Sequence, residues 1–317
     1  MDPASLADDL FTSTMLDELR AIVSLHETVV SDLDDRGRAA LHDATIAIGG
    51  WGAPRISPAD APNLRAIVYL GGVAATCLDD AAEWSRLGLT AANARSINAG
   101  PVAEYALAMI LLDGKDAFTA ARGARRKNTT PASRPSARVG NFRRTVGIVG
   151  LSQTARALID LLRPFDLDVS VYSPELTPVA ADALGVRMRT LEEVMAESDI
   201  VSLHQPLTAA TRGQIDRRLL SLMQDGATLL NTARGAVVDQ EALVERLREG
   251  RIRAILDVTE PEPLDDDHEL RSLPNVVLTP HIAGSLGTEL HRMGQNAVEE
   301  IRRFVEGSPF RHPEVLS

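Results

Sequence analysis

The sequence predicts an α/β protein: a doubly wound parallel sheet plus a second, smaller α/β domain. Three observations carry this. Six strand-like runs rich in Val, Ile and Leu succeed one another between residues 145 and 279, with helix-like segments between most of them. The runs lack polar alternation, as suits parallel strands buried on both faces. The chain has 317 residues, long for one compact domain and natural for two.

The elements follow in order. Residues 4–23 place Leu6, Leu10, Met15, Leu16, Leu19 and Ile22 at helical spacing. Short β-rich runs at 27–30 (ETVV), 44–48 (ATIAI) and 65–70 (RAIVYL) are each followed by turn-like or helix-like residues, which predicts an αβ layer. A helix is predicted from Val102 to about Arg122, with Glu104 in its first turn. Strands are then predicted at 145–149, 168–172, 199–203, 227–231, 253–258 and 275–279. Helices are predicted at 154–163, 179–184, 191–197, 216–223 and 239–249, and a final one near 286–306 stops at Gly307. There is no tandem repeat.

Composition narrows the function. Hydrophobic residues make up 44%, so there is material for real cores, and the net charge is −11 with only 3% aromatics. An acidic chain poor in aromatics argues against nucleic-acid binding by phosphate attraction or base stacking. The single Cys77 excludes a disulfide framework and a multi-cysteine metal site, so no metal is expected. No apolar run approaches a membrane span, and the start, MDPASLADDL, lacks a basic-then-apolar leader pattern; a cytoplasmic protein is the expectation. The charge is uneven: residues 115–144 hold nine basic side chains against Asp116, a net +8, and the remainder carries −19. That segment reads as a solvated connector, an anion-facing patch or a subunit contact.

The run Gly147-Ile148-Val149-Gly150-Leu151-Ser152-Gln153-Thr154-Ala155 follows a predicted strand and opens a helix. This is the context of a dinucleotide fingerprint, in which helix-start amides hold a pyrophosphate. Gly150 supplies the tight turn, and Ala155 is acceptable at the third glycine position. Ser152, at the second, is a departure that puts a Cβ where the pyrophosphate approaches. Alone, the run also fits a plain strand–turn–helix. The acidic residue that would accept from the adenosine ribose is replaced by Ser173, so NAD and NADP both stay open.

Three later segments end successive strands of the same sheet: Asn231–Gly235, Asp257–Pro263 and Thr279–Ser285. In an open α/β sheet the carboxyl ends of strands converge on the ligand crevice. There Arg234 can bind a carboxylate and polarise a carbonyl. His281 can give or take a hydroxyl proton near neutral pH, and Glu262 can orient its ring. The set fits hydride transfer to a 2-oxo acid.

These residues resemble the D-2-hydroxyacid dehydrogenase family, the group of phosphoglycerate, glycerate and formate dehydrogenases. The likeness runs over about residues 60–310, through VAEYALAMILL (102–112), TVGIVGLSQTA (145–155), VSLHQPLTAATRGQID (201–216), NTARGAVVD (231–239), LDVTEPEPL (256–264) and NVVLTPHIAGS (275–285). It implies that Arg234, Glu262 and His281 are the catalytic residues. It implies NAD or NADP contacts at Gly150, Ser152, Gln153, Thr154, Ser173, His204, Pro206, Thr232, Asp257 and Gly284, with His204 in the cleft wall. The loop LGGVAATCLD (70–79) matches the substrate-carboxylate loop, implying substrate contacts at Gly72 and Val73, beside Asn98 and Arg234.

The resemblance further implies a Rossmann cofactor domain over 100–285. A discontinuous, flavodoxin-like substrate domain would comprise 1–99 and 286–317. The two linking helices would act as a hinge, and the chain would form a homodimer. The expected activity is an NAD(P)-dependent reduction of a small anionic 2-oxo acid. Ser152 and Ser173 motivate an alternative of another class: a dehydrogenase-like nucleotide sensor or corepressor with little or no catalysis.

Overall fold

The structure, a computed structural model, describes residues 5–26, 28–124 and 139–316. The chain divides into two compact units, Met1–Ala99 with Ser285–Ser317, and Gly100–Gly284. In the first lie α1 (Leu6–Leu10), α2 (Ser13–Ile22), α3 (Asp35–His42), β1 (Ile46–Gly49), β2 (Ala66–Tyr69), α4 (Ala81–Arg86) and β3 (Thr90–Asn93). Helix α5 (Arg95–Gly114) carries the chain into the second unit. There follow α6 (Ala117–Ala124), β4 (Arg144–Val149), α7 (Gln153–Leu162), β5 (Leu167–Tyr172), α8 (Pro178–Leu184), β6 (Arg187–Met188), α9 (Leu191–Glu197) and β7 (Ile200–Leu203). The unit is completed by α10 (Arg217–Leu222), β8 (Thr228–Asn231), α11 (Gln240–Arg248), β9 (Arg253–Leu256) and β10 (Val276–Leu278). The return to the first unit supplies α12 (Leu290–Val305) and β11 (Pro313–Glu314).

Several expectations are corrected. The single helix over 4–23 is two, because Thr12 restarts the chain as an N-cap, its side chain accepting from Met15 N at 3.3 Å. Residues 28–30 form no strand: Val30 packs on the cluster around Leu41 while Val29 stays exposed, so the valines are used without a ladder. The helix placed at 102–122 starts seven residues earlier, where Asn93 Oδ1 receives Arg95 N, and contains Pro101. It then breaks at Asp116, whose φ of 52° no helix accepts, and α6 follows. The loop part of the basic segment, 125–138, lies outside the described residues.

The second unit holds a seven-stranded sheet in the order β10-β9-β8-β7-β4-β5-β6, parallel throughout. Neighbouring residues of one strand feed opposite cores. Val149, Leu229 and Leu256 join one cluster, whereas Ile148, Leu230 and Ile255 join the other. This is why the strands read as unbroken apolar runs. Each such buried side chain contributes about 1.5–3 kcal/mol of transfer free energy. The first unit has a four-stranded sheet, β1-β2-β3-β11, whose β11 is antiparallel to β3.

The two ends of the large sheet differ in chemistry. At the amino ends, Asp113 from α5 bonds Arg144 of β4 at 2.6 Å and Thr228 of β8 at 2.9 Å, with Arg253 of β9 at 3.4 Å. Arg144, one of the +8 segment, is thus buried in an ion pair. The carboxyl ends carry the site described below. No helix among the described residues is long and apolar enough to cross a membrane. None of their His, Cys, Asp and Glu side chains cluster as a metal site would require.

Candidate active site

The phosphate turn begins where β4 ends. Gly150 has φ of 90°, and a Cβ there would lie 2.8 Å from the backbone of Gln205, so both dihedral and space require glycine. Ser152 is the N-cap of α7: its Oγ accepts from Ala155 N at 3.3 Å. That gives the departure from glycine a local reason, since serine satisfies one of the helix's unpaired first-turn amides. Gln153 and Thr154 form the first turn of the helix, which has no acidic side chain to oppose an anion.

Ser173 follows β5 and builds a turn, its Oγ accepting from Glu175 N at 3.4 Å. His204, expected in the cleft wall, follows β7. It is 5% exposed, and its Nε2 lies 2.7 Å from Ser202 Oγ, inside the unit. Burial pushes its pKa down to about 4. In the unfolded chain the ring titrates near 6.5, so below that pH the unfolded state takes a proton that the folded state refuses. Stability is therefore lost as pH falls from about 6.5 toward 4. Between pH 7 and 4.5 the loss is about 2 kcal/mol from this group. His204→Gln should flatten that part of the urea-unfolding profile; an unaltered slope would show that the histidine is not its source.

Pro206 is exposed, and its carbonyl accepts from Thr211 Oγ1 at 2.6 Å. Thr232 Oγ1 and Gln205 Oε1 are buried with no hydrogen-bond partner among the described residues. An unpaired buried acceptor is costly. These two orphans, the glycine turn and the bare first turn of α7 suit the phosphates and carboxamide of a dinucleotide.

Asn231, at the end of β8, shapes the arginine loop: its Oδ1 receives Ala233 N at 3.0 Å and its Nδ2 donates to Arg234 O at 2.9 Å. Arg234 is exposed, with Nη1 on the Ala233 carbonyl at 2.6 Å. The next residue, Gly235, lies flat against Thr259: a Cβ there would be 2.0 Å from the Thr259 carbonyl. Backbone contact thus joins the arginine loop to the glutamate loop. Gln240 holds the latter in both senses, accepting from Glu260 N at 3.0 Å and donating to Glu260 O at 2.6 Å.

Glu262 and His281 meet: Glu262 Oε1 lies 2.5 Å from His281 Nδ1, with both side chains partly exposed. His281 has φ of 54°, in the left-handed region. Asp257 maintains that turn. Its Oδ1 accepts from Thr279 Oγ1 at 2.6 Å and Ile282 N at 2.9 Å, and its Oδ2 accepts from Ala283 N at 2.9 Å. The main-chain carbonyl of Asp257 accepts from His281 N at 3.0 Å. Tyr105 OH, 2.7 Å from Thr279 Oγ1, extends the network, and burial raises its pKa. Asp257, expected as a cofactor contact, clamps the histidine turn. Gly284 ends this turn and is half-buried.

In the first unit Gly72 and Val73 are exposed on the loop after β2. Asn98 is half-buried, and its Oδ1 accepts from Ser285 N at 2.8 Å.

Sequence reasoning missed Asn231, Gln205, Gln240, Tyr105 and Thr279. Asn231 had a local signal, an Asn two residues before a turn amide. Gln240, Tyr105 and Thr279 act through contacts distant in sequence, which no spacing reveals.

The family model of the D-isomer specific 2-hydroxyacid dehydrogenase NAD-binding domain matches residues 107–283. D-3-phosphoglycerate dehydrogenase of Mycobacterium tuberculosis is 34% identical over 250 residues, 78% of this chain and 46% of the relative. Glyoxylate reductase of Korarchaeum cryptofilum is 34% identical over 231 residues, 72% of this chain and 70% of the relative. The solved structure of the TT0316 protein from Thermus thermophilus superposes with a TM-score of 0.76 at 32% identity, covering 96% of this chain and 97% of that one. The chain spans about half the length of the phosphoglycerate dehydrogenases that it matches.

Proposed function

Because the chain belongs to the D-isomer specific 2-hydroxyacid dehydrogenase family, we propose that it reduces a small 2-oxo acid to the D-2-hydroxy acid with NADH or NADPH, reversibly. The observation that carries this reading is the Glu262–His281 pair on a clamped turn, beside an arginine loop and a dinucleotide-type turn in one sheet. A pure binding module has no use for that pair.

Gly150, Ser152, Gln153 and Thr154 would hold the cofactor's phosphates, Ser173 and Pro206 its adenosine half, and Thr232, Asp257 and Gly284 its nicotinamide. Bound there, the nicotinamide supplies a hydride to the substrate's C2. The chain's own residues do the rest. Glu262 accepts the Nδ1–H of His281, which fixes the ring. Nε2 is then the nitrogen that faces the reacting oxygen. In the reductive direction the imidazolium gives its Nε2 proton to the carbonyl oxygen and ends neutral, still bonded to Glu262. Arg234 pairs with the substrate carboxylate and polarises the carbonyl. The first unit is the substrate-binding domain in this reading, and Gly72, Val73 and Asn98 are its substrate contacts. The second unit binds the dinucleotide.

A homodimer joined through the region of α6 belongs to the same reading, supported by the exposed Leu112 and Phe142 nearby. So does a cytoplasmic location, in keeping with a lone, buried and unpaired Cys77.

The test is a screen of 2-oxo acids with NADH and NADPH side by side. Turnover of at least one acid to the D product is expected; tight cofactor binding with no turnover on any acid would replace the enzyme with a sensor. Arg234→Ala should raise KM about a hundredfold for the preferred acid, with Arg234→Lys recovering only part of it, because lysine lacks the planar fork. An unchanged KM in both variants would remove Arg234 from substrate binding.

A further inference from the structure

The carboxyl-terminal segment reaches back into the loop that the proposed function assigns to the substrate carboxylate. Glu314 of β11 accepts three hydrogen bonds: from Ala74 N at 2.9 Å, Ala75 N at 3.2 Å and Asn93 Nδ2 at 2.6 Å. The first two are the leading amides of the short 3-10 turn Ala74–Cys77, for which Val73 is the N-cap. They are separated from Glu314 by 240 and 239 residues.

The segment is anchored on both sides of Glu314. Upstream, the fully buried Glu300 of α12 accepts from Arg311 N and His312 N, each at 2.8 Å, and His312 O accepts from Asn93 N at 3.1 Å. Downstream, Leu316 is buried in the cluster with Leu41, Ile56 and Leu78. A glutamate fixed at both sides is a rigid fixture.

The loop it grips has its peptide planes set one after another. The Gly72 carbonyl is held by Arg95 through Nε at 3.0 Å and Nη2 at 2.8 Å. A trans peptide is planar, so this directs the Val73 N–H the opposite way. The Val73 carbonyl accepts from Thr76 Oγ1 at 2.7 Å, and the Ala74 N–H opposite to it meets Glu314. A Cβ at Gly72 would meet nothing within 4 Å, so the space before the loop is open.

The geometry points to Glu314 as a positioning residue for the reaction: its carboxylate, delivered by the returning segment, pins the Ala74 and Ala75 amides and so fixes the downstream end of the loop whose Gly72 and Val73 amides bind the substrate's carboxylate. This rests on the proposed function, and it adds to that reading a residue far from the chemistry that governs substrate affinity.

The test pairs kinetics with amide hydrogen exchange on the full chain. In Glu314→Ala, KM for the 2-oxo acid should rise about tenfold, the scale of losing hydrogen bonds to a charged group. The kcat should stay within about threefold, and KM for the cofactor should not move. Exchange at 74–77 should quicken by about tenfold, while amides of the second unit keep their rates. Glu314→Gln, which preserves one accepting oxygen and the shape, should fall between the two. Unchanged exchange at 74–77 in the alanine variant overturns the proposal, and so does quickened exchange with an unchanged KM. Should the unmodified chain reduce no 2-oxo acid, the functional reading falls and the kinetic half of the proposal with it; exchange then still decides whether Glu314 orders the loop.

Discussion

Replacing His281 with alanine should lower kcat for the preferred 2-oxo acid by about a thousandfold, within the range of a lost general acid. The magnitude follows from the site's construction. The ring is held by Glu262 at Nδ1 and by a left-handed turn whose amides are pinned on Asp257. Among the described residues no side chain besides Glu262 is hydrogen-bonded to the ring. Binding of the cofactor should be unaffected, since the phosphate turn lies at the end of another strand. Saturating NADH or NADPH with a full substrate series gives kcat and KM separately. Glu262→Gln should cost less, about tenfold to a hundredfold, because the ring keeps a hydrogen-bonding partner but loses the charge-assisted bond to a carboxylate. A His281→Ala enzyme within a few-fold of the parent would reassign the proton to another group.

The second large effect lies at the opposite end of the sheet. Asp113→Ala should destabilise the fold by about 3–5 kcal/mol, the cost of leaving a buried charge without its partner. Asp113 and Arg144 are each 4% exposed at their side chains, and Thr228, which bonds both carboxylate oxygens, is fully buried. Removal of Asp113 takes the carboxylate away from a buried guanidinium and a buried hydroxyl. Asp113→Asn should cost less, because its carbonyl still accepts from Thr228. Urea unfolding of the three proteins, followed by circular dichroism, checks the order; equal midpoints would show the network to be idle. The expectation concerns stability, so any enzyme that folds should retain its kcat.

Much of the fold was legible because the physics was local. The six main strands announce themselves as apolar runs, and each helix start from α7 to α11 has a Ser, Thr or Asp whose side chain accepts an amide of the first turn. Strand β3, Thr-Ala-Ala-Asn, has little strand propensity and exists because β2 and β11 flank it. β6 and β11 are two residues each, too short for any periodicity. The valines at 29–30 show the converse: β-branched residues without a neighbouring ladder. In the site, residue types and motif spacing pointed to Arg234, Glu262 and His281. The supporting set of Asn231, Gln240, Tyr105 and Asp257 acts through hydrogen bonds spanning 2 to 174 residues. His204 illustrates the remaining gap, for a histidine at a strand's end reads alike whether it faces a ligand or Ser202.

The first unit is made from two stretches of chain, and this has a consequence for biosynthesis. Residues 285–317 leave the ribosome only after all of 100–284, a delay of about ten seconds or more at typical translation rates. Until then Leu10, Leu19, Val68 and Leu70 lack Met293, Ala297 and Ile301, which complete their core, and β3 lacks the partner at its edge. The second unit, whose strands are contiguous in the chain, can close during that interval. The nascent chain therefore passes through a stage with one finished half and one half exposing apolar surface, the stage at which a chaperone has something to hold.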